Sequence, residues 1–202
     1  MVESLVEELI SNMNEKSLKR PKLILIGGDL AGGKSRFSNI LGDKFNLLVI
    51  NKDNLKEIAG DNFFAKNREE NKKLSKLSFD IMKYIIYKNK DILVLESNFK
   101  DYEMEELDSI CKILNYDVLS FVFKGDDKVL HERFLKRLNE NRHYVHKSED
   151  FTDIKDFSKM LEGLRKVEYI GKKIFVDCTN FKYQEDKSIF LEVEDFLKMS
   201  LK

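Results

Sequence analysis

Leu23-Ile24-Leu25-Ile26-Gly27-Gly28-Asp29-Leu30-Ala31-Gly32-Gly33-Lys34-Ser35 decides how the rest of the chain is read. Four consecutive apolar residues suit a strand buried on both faces. From Gly28 the chain then fits G-x-x-x-x-G-K-[ST] without a mismatch, and Phe37, Ile40 and Leu41 continue it with helical spacing. A strand that turns into a helix through such a loop aims backbone N–H groups inward, glycine supplying the positive φ angles and the new helix its positive end. The group this cradle fits is a polyphosphate. Gly28, Asp29, Leu30, Ala31, Gly32, Gly33, Lys34, Ser35 and the following Arg36 are therefore the expected nucleotide contacts. Within them Lys34 is expected to neutralise the β- and γ-phosphates and Ser35 to enter a magnesium shell.

Outward from the loop, Leu47 to Ile50, Ile92 to Leu95, Val118 to Phe123 and Ile174 to Val176 are short runs rich in β-branched or aromatic residues. Helical period occupies Asn71 to Lys88, Tyr102 to Leu114, Asp127 to Asn139 and a C-terminal stretch near Lys187 to Leu201. Residues 3–16 place Leu5, Val6, Leu9, Ile10 and Met13 on one face of a further helix. The alternation predicts a three-layer α/β/α P-loop NTPase fold with a mostly parallel five-stranded sheet, ligands gathering at the carboxyl ends of the strands. The expected organisation is one domain over residues 1–202. It comprises an N-terminal helix within 1–20, an acceptor-side helical segment over 54–90 and a lid over 126–150.

The chain has 202 residues, 42% apolar, enough for a core without disulfide or metal support. Lys plus Arg equal Asp plus Glu at 36 each, so no global charge attracts nucleic acid or an anionic membrane and any basic site must be local. Cys111 and Cys178 lie far from any C-x-x-C spacing and read as reduced core residues. An acidic N-terminus and the lack of a long apolar run lead to the expectation of a cytoplasmic protein without a membrane span.

A regulatory GTPase would need D-x-x-G after the next strand and N-K-x-D for guanine. The D-x-x-G here falls at Asp29–Gly32 inside the loop, and Asn51-Lys52-Asp53-Asn54 has its aspartate one place early. A mechanical ATPase would need sensor segments for which this length leaves little room. The remaining class is a small phosphotransferase. LLVINKDNLKEIAG, with Asp53 beyond the second strand, resembles the S-x-D-x-x-R region of small P-loop kinases related to polynucleotide kinase, chloramphenicol phosphotransferase and the zeta toxins. ILVLESNF, with Glu96 closing the third strand, and HERFLKRLNENRHYVH, similar to an arginine-rich lid, extend the resemblance over most of residues 21–180. The chain departs from the pattern with Glu96 where many relatives carry Asp, and with Lys56 in place of the usual arginine.

This resemblance implies an ATP- and Mg2+-dependent kinase that transfers the γ-phosphate to a hydroxyl on a small molecule or a nucleic acid end. Phosphoryl transfer requires positioning and charge neutralisation more than covalent chemistry. Asp53, at the end of a strand expected beside the first, would accept the hydroxyl proton; as an alternative it caps the helix beginning near Leu55. Glu96 would hold magnesium with Ser35, or stand as a solvated strand-end carboxylate. Arg133, Arg137 and Arg142 would close over the nucleotide, Arg133 against the base and the other two against phosphate. As an alternative they form a solvated face paired with Glu132 and Glu140. Asn98 and Phe99 would line the acceptor pocket, with Phe99 as an alternative a core residue, Phe63, Phe64, Lys66 and Arg68 would cover it, and Asn180 and Phe181 would wall the base. His143 and His146 lack companions for a tetrahedral metal site and are expected to shape the lid or touch substrate. The other function considered is a zeta toxin-like or non-catalytic nucleotide-binding module acting through a protein partner. No basic run with interleaved aromatics marks a single-strand groove, so nucleic acid is the less favoured partner.

Overall fold

The computed structural model describes residues 20–140, 142–146 and 150–198. The helix expected over residues 3–16 and the last turn expected up to Leu201 lie outside them. Five strands, β1 (Lys22–Gly28), β2 (Leu48–Asn51), β3 (Ile92–Glu96), β4 (Asp117–Lys124) and β5 (Lys172–Asp177), form one all-parallel sheet in the order β2-β3-β1-β4-β5. Among the described residues seven helices accompany them: α1 (Lys34–Phe45), α2 (Lys52–Phe63), α3 (Arg68–Lys88), α4 (Asp101–Ile113), α5 (Asp127–Leu138), α6 (Ile154–Arg165) and α7 (Lys187–Lys198). This is the three-layer P-loop NTPase architecture.

The pleat of β1 divides the core. Ile24 and Ile26 pack with α1, α5, α6 and α7 around Phe37, Phe121, Phe157 and Phe190; Leu23 and Leu25 pack on the other face with α3 and α4 around Phe79, Met82 and Leu107. Both faces of the central strand are therefore dry, as its unbroken apolar run requires. A third, small cluster of Ala59, Leu74 and Val145 joins α2 and α3 to the turn Tyr144–His146.

One reading of the sequence is corrected, one is resolved in detail and one helix is added. Strand β2 is not beside β1: β3 lies between them, because the crossover through α2 and α3 carries the chain back to the inner position. Residues 54–90 divide between two helices, parted where Phe64 takes a left-handed φ of 43° and Asn67 caps α3 by accepting from the Glu70 amide. Helix α6 is an addition, although Ile154, Phe157, Leu161 and Leu164 recur at helical spacing behind the cap Asp153. Cys111 and Cys178 are both free and buried. Among the described residues no helix is long and apolar enough to cross a membrane.

Candidate functional site

The phosphate loop hangs from β1 where that strand pairs with β4, Gly28 opposite Phe123, and the Asp29 amide extends the pairing by donating to the Phe123 carbonyl at 2.8 Å. Gly28 (φ 105°) and Gly33 (φ 86°) both occupy the left-handed half of backbone space, so the turn from strand to helix needs glycine at these two positions. Tyr183 braces the loop from below, its hydroxyl donating to the Gly32 carbonyl at 3.1 Å. Lys34 is buried and folds back onto the loop, donating to the carbonyls of Asp29 (2.6 Å) and Gly28 (3.2 Å). Burial pulls its pKa down, while Glu96 and, to a lesser degree, Asp53 oppose the shift.

The loop opens on a cleft whose wall carries Leu30 to Arg36, the carboxylates Asp53 and Glu96, Asn98, Phe134, and the guanidinium groups of Arg137 and Arg142. Residues spread over more than a hundred positions of sequence thus converge. Glu96 ends β3 and is buried; burial raises its pKa, and Lys34, Ser35 and Asn51 resist the rise. Its Oε2 accepts from Ser35 Oγ at 3.0 Å and from the Asn51 amide group. Asn51 was missed from sequence. Its Oδ1 caps α2 by accepting from the amides of Asp53 (2.7 Å) and Asn54 (3.2 Å), and its Nδ2 also lies 3.3 Å from Ser35 Oγ. The cap is therefore Asn51 and the helix begins at Lys52, so the alternative reading of Asp53 as the cap is overturned. Asp53 is exposed in the first turn, and its carboxylate has no ion-pair partner among the described residues.

Arg137 and Arg142 crowd one another. Burial first, then the Arg142 charge, lowers the Arg137 pKa, and neither guanidinium has a carboxylate within salt-bridge distance among the described residues, so the solvated pairing with Glu132 and Glu140 is absent there. Arg133 is used differently. It donates to the carbonyls of Cys178 (2.7 Å) and Thr179 (2.6 Å), and its guanidinium stacks 3.8 Å from the Phe181 ring, fixing the loop that bears Asn180 and Phe181. Neither Arg133 nor Asn180 reaches the cleft wall, and nor do Gly28 and Asp29. The Asp29 side chain is wholly buried against Arg165, and its amide donates to the Phe123 carbonyl. Phe99 is core and Phe63 and Phe64 are largely exposed, so none of these three lines the cleft.

His143 and His146 dock the turn Tyr144–His146 on α2. His143 Nε2 lies 2.9 Å from Asp61 Oδ1; His146 Nε2 lies 3.0 Å from Glu57 Oε1, though at angles outside those of a hydrogen bond. The Tyr144 hydroxyl donates to the Gly60 carbonyl at 2.8 Å, and Lys56 Nζ to the Val145 carbonyl at 3.1 Å. No group of three or more His, Cys, Asp or Glu side chains among the described residues could hold a metal by itself. Ser35 and Glu96 fit magnesium nonetheless, because that ion takes hard oxygen donors and completes its shell with phosphate and water.

Comparison with known proteins places this arrangement. The sequence model of the zeta toxin family matches residues 7–177. No curated protein matches in sequence. Among solved structures, a kinase candidate from Chloroflexus aurantiacus is similar over 91% of this chain and 100% of its own, with a TM-score of 0.71 and 22% identity. A tunicamycin resistance protein of Deinococcus radiodurans is similar over 86% of this chain and 96% of its own, at TM-score 0.55 and 17% identity. A chain of the PezAT toxin-antitoxin system of Streptococcus pneumoniae is similar over 87% and 76%, at TM-score 0.51 and 18% identity. These likenesses carry the fold.

Proposed function

We propose, from the premise that the chain belongs to the zeta toxin family, that it is a P-loop kinase which moves the γ-phosphate of ATP, with Mg2+, to a hydroxyl on an acceptor molecule. One observation carries the reading: the glycine loop, buried Lys34, Arg137 and Arg142 meet two carboxylates of different environment, Asp53 and Glu96, around a single cleft. The loop amides and Lys34 hold the phosphate tail, and Arg137 and Arg142 take up charge that spreads over the transferred group. Exposed Asp53 accepts the acceptor proton. Ser35 and Glu96 would hold Mg2+, which when bound polarises the phosphoryl oxygens and neutralises their charge. Arg133, stacked on Phe181, would hold the loop that flanks the base, and Asn98, whose Oδ1 is buried without a hydrogen-bond partner, would meet a donor on the acceptor.

Two variants separate binding from chemistry. Lys34→Ala abolishes MgATP binding in calorimetry while the far-UV spectrum stays native. Asp53→Asn keeps MgATP affinity within about threefold and lowers turnover on an acceptor found by metabolite screening by about 10²–10⁴. Unchanged turnover in Asp53→Asn removes the base from the mechanism, and unchanged binding in Lys34→Ala removes the nucleotide site.

A further inference from the structure

Asp29 is the one acidic residue in the eight-residue loop from Gly28 to Ser35. A carboxylate there has the wrong sign for a loop that grips a polyphosphate, since in a dry site like charges repel far more strongly than in water. The structure removes that charge from the loop. Asp29 is 0% exposed, and Arg165, arriving from the far end of α6, binds it with Nε 3.1 Å from each oxygen and Nη2 2.6 Å from Oδ2. The Gly125 amide donates to the same Oδ2 at 3.0 Å while Arg165 Nη2 donates to the Gly125 carbonyl at 2.8 Å, so the peptide leading from β4 into α5 is clasped on both sides. Arg165 also pairs with Asp127 in the first turn of α5 at 2.8 Å. One guanidinium thereby joins the phosphate loop to the root of the helix that carries Arg133 and Arg137.

We infer that Arg165 is a positioning residue for nucleotide binding: it neutralises Asp29 and locks the loop to the root of the lid helix, so that the loop presents amides and Lys34, and no net negative charge, to the phosphates. This rests on the reading of the loop as a nucleotide site. A guanidinium suits the task because its rigid fork meets both carboxylate oxygens and a carbonyl at once. Lysine would supply the charge without that fork.

The test is a charge-paired set in the full chain, titrated with MgATP and with inorganic tripolyphosphate by calorimetry. Arg165→Gln leaves a buried, unpaired carboxylate beside the phosphates, and both probes bind about 10- to 100-fold more weakly. Arg165→Lys loses less. Asp29→Asn combined with Arg165→Gln removes both charges and binds within about threefold of the wild-type chain. If Arg165→Gln fails to fold, the double variant still decides, because the one carboxylate it leaves without Arg165, Asp127, is partly exposed, no fully buried charge stays unpaired, and the chain must fold and bind. Binding by Arg165→Gln equal to wild type overturns the inference, as does a double variant as weak as Arg165→Gln, which marks Arg165 as a scaffold residue whose charge is immaterial. Should the wild-type chain bind neither probe, the nucleotide reading itself falls, and the inference with it.

Discussion

Asn51 shows how much a single side chain can settle. Its carbonyl oxygen caps α2 and its amide group reaches Glu96 and Ser35, so helix start, strand end and phosphate loop share one amide plane. The two halves of that side chain are separable by mutation. Asn51→Asp keeps a good cap but sets a second carboxylate against Glu96 in place of the donor, and it is expected to shift the Mg2+ concentration for half-maximal activity by about 10-fold and to lower stability in the absence of the ion. Asn51→Ala loses both and drops unfolding free energy by about 1 kcal/mol as well. Urea unfolding together with a magnesium titration of the steady-state rate distinguishes them. Sequence shows a residue suited to capping between a strand and a helix, but not that its other end would point at Glu96, which lies 45 positions later. Asp29 is similar: an acid in an anion loop demands a cation, yet nothing local names Arg165.

At the scale of elements, the turn Tyr144–His146 and helix α2 behave as one unit. Gly60 forms the notch, since a Cβ there would stand 2.6 Å from Val145 Cγ1. Burial pulls the His146 pKa below its ordinary 6.5; the Asp53 charge opposes this, while Lys56 and Arg142 reinforce it. The sign follows directly. Above 6.5 the ring is neutral in folded and unfolded chains alike and contributes nothing; as pH falls below 6.5 the unfolded chain takes up a proton that the folded one resists, and stability is lost. Thermal unfolding of the wild-type chain should therefore fall more steeply between pH 7 and 5.5 than that of His146→Asn, and parallel curves would show that His146 does not titrate across folding. The strand, loop and helix of the phosphate site were legible because each needs particular residue types at fixed spacing. The docking of that turn was not, because H-x-x-H has no inherent preference between a metal, a substrate and the Asp61 and Glu57 carboxylates that meet it.

For the whole molecule, stability rests on the two apolar layers either side of β1. Phe121 is fully buried on β4 and meets Phe37 edge-on with ring centres 5.2 Å apart, so Phe121→Ala is expected to cost about 3–5 kcal/mol. Phe175, one strand further out on β5, is 72% exposed, and Phe175→Ala should change stability by no more than about 0.5 kcal/mol. Denaturant titration of both reads the contrast, and equal losses would mean that the outer face of β5 is covered in solution. The strands and the parallel class follow from apolar runs alternating with helical period. Their order does not, because each buried run could pair with any other, and only the crossovers set β3 between β2 and β1.

That order has a consequence for the birth of the protein. Both neighbours of β1 come from later in the chain, β3 from Ile92 and β4 from Asp117 onward. During translation at about 5–20 residues/s, the first partner of β1 therefore follows it out of the ribosome roughly 3–13 s later. Throughout that wait its hydrogen-bonding edges are open to other nascent chains, and a holdase chaperone that shields Leu23 to Ile26 would raise the yield of native protein most in this interval.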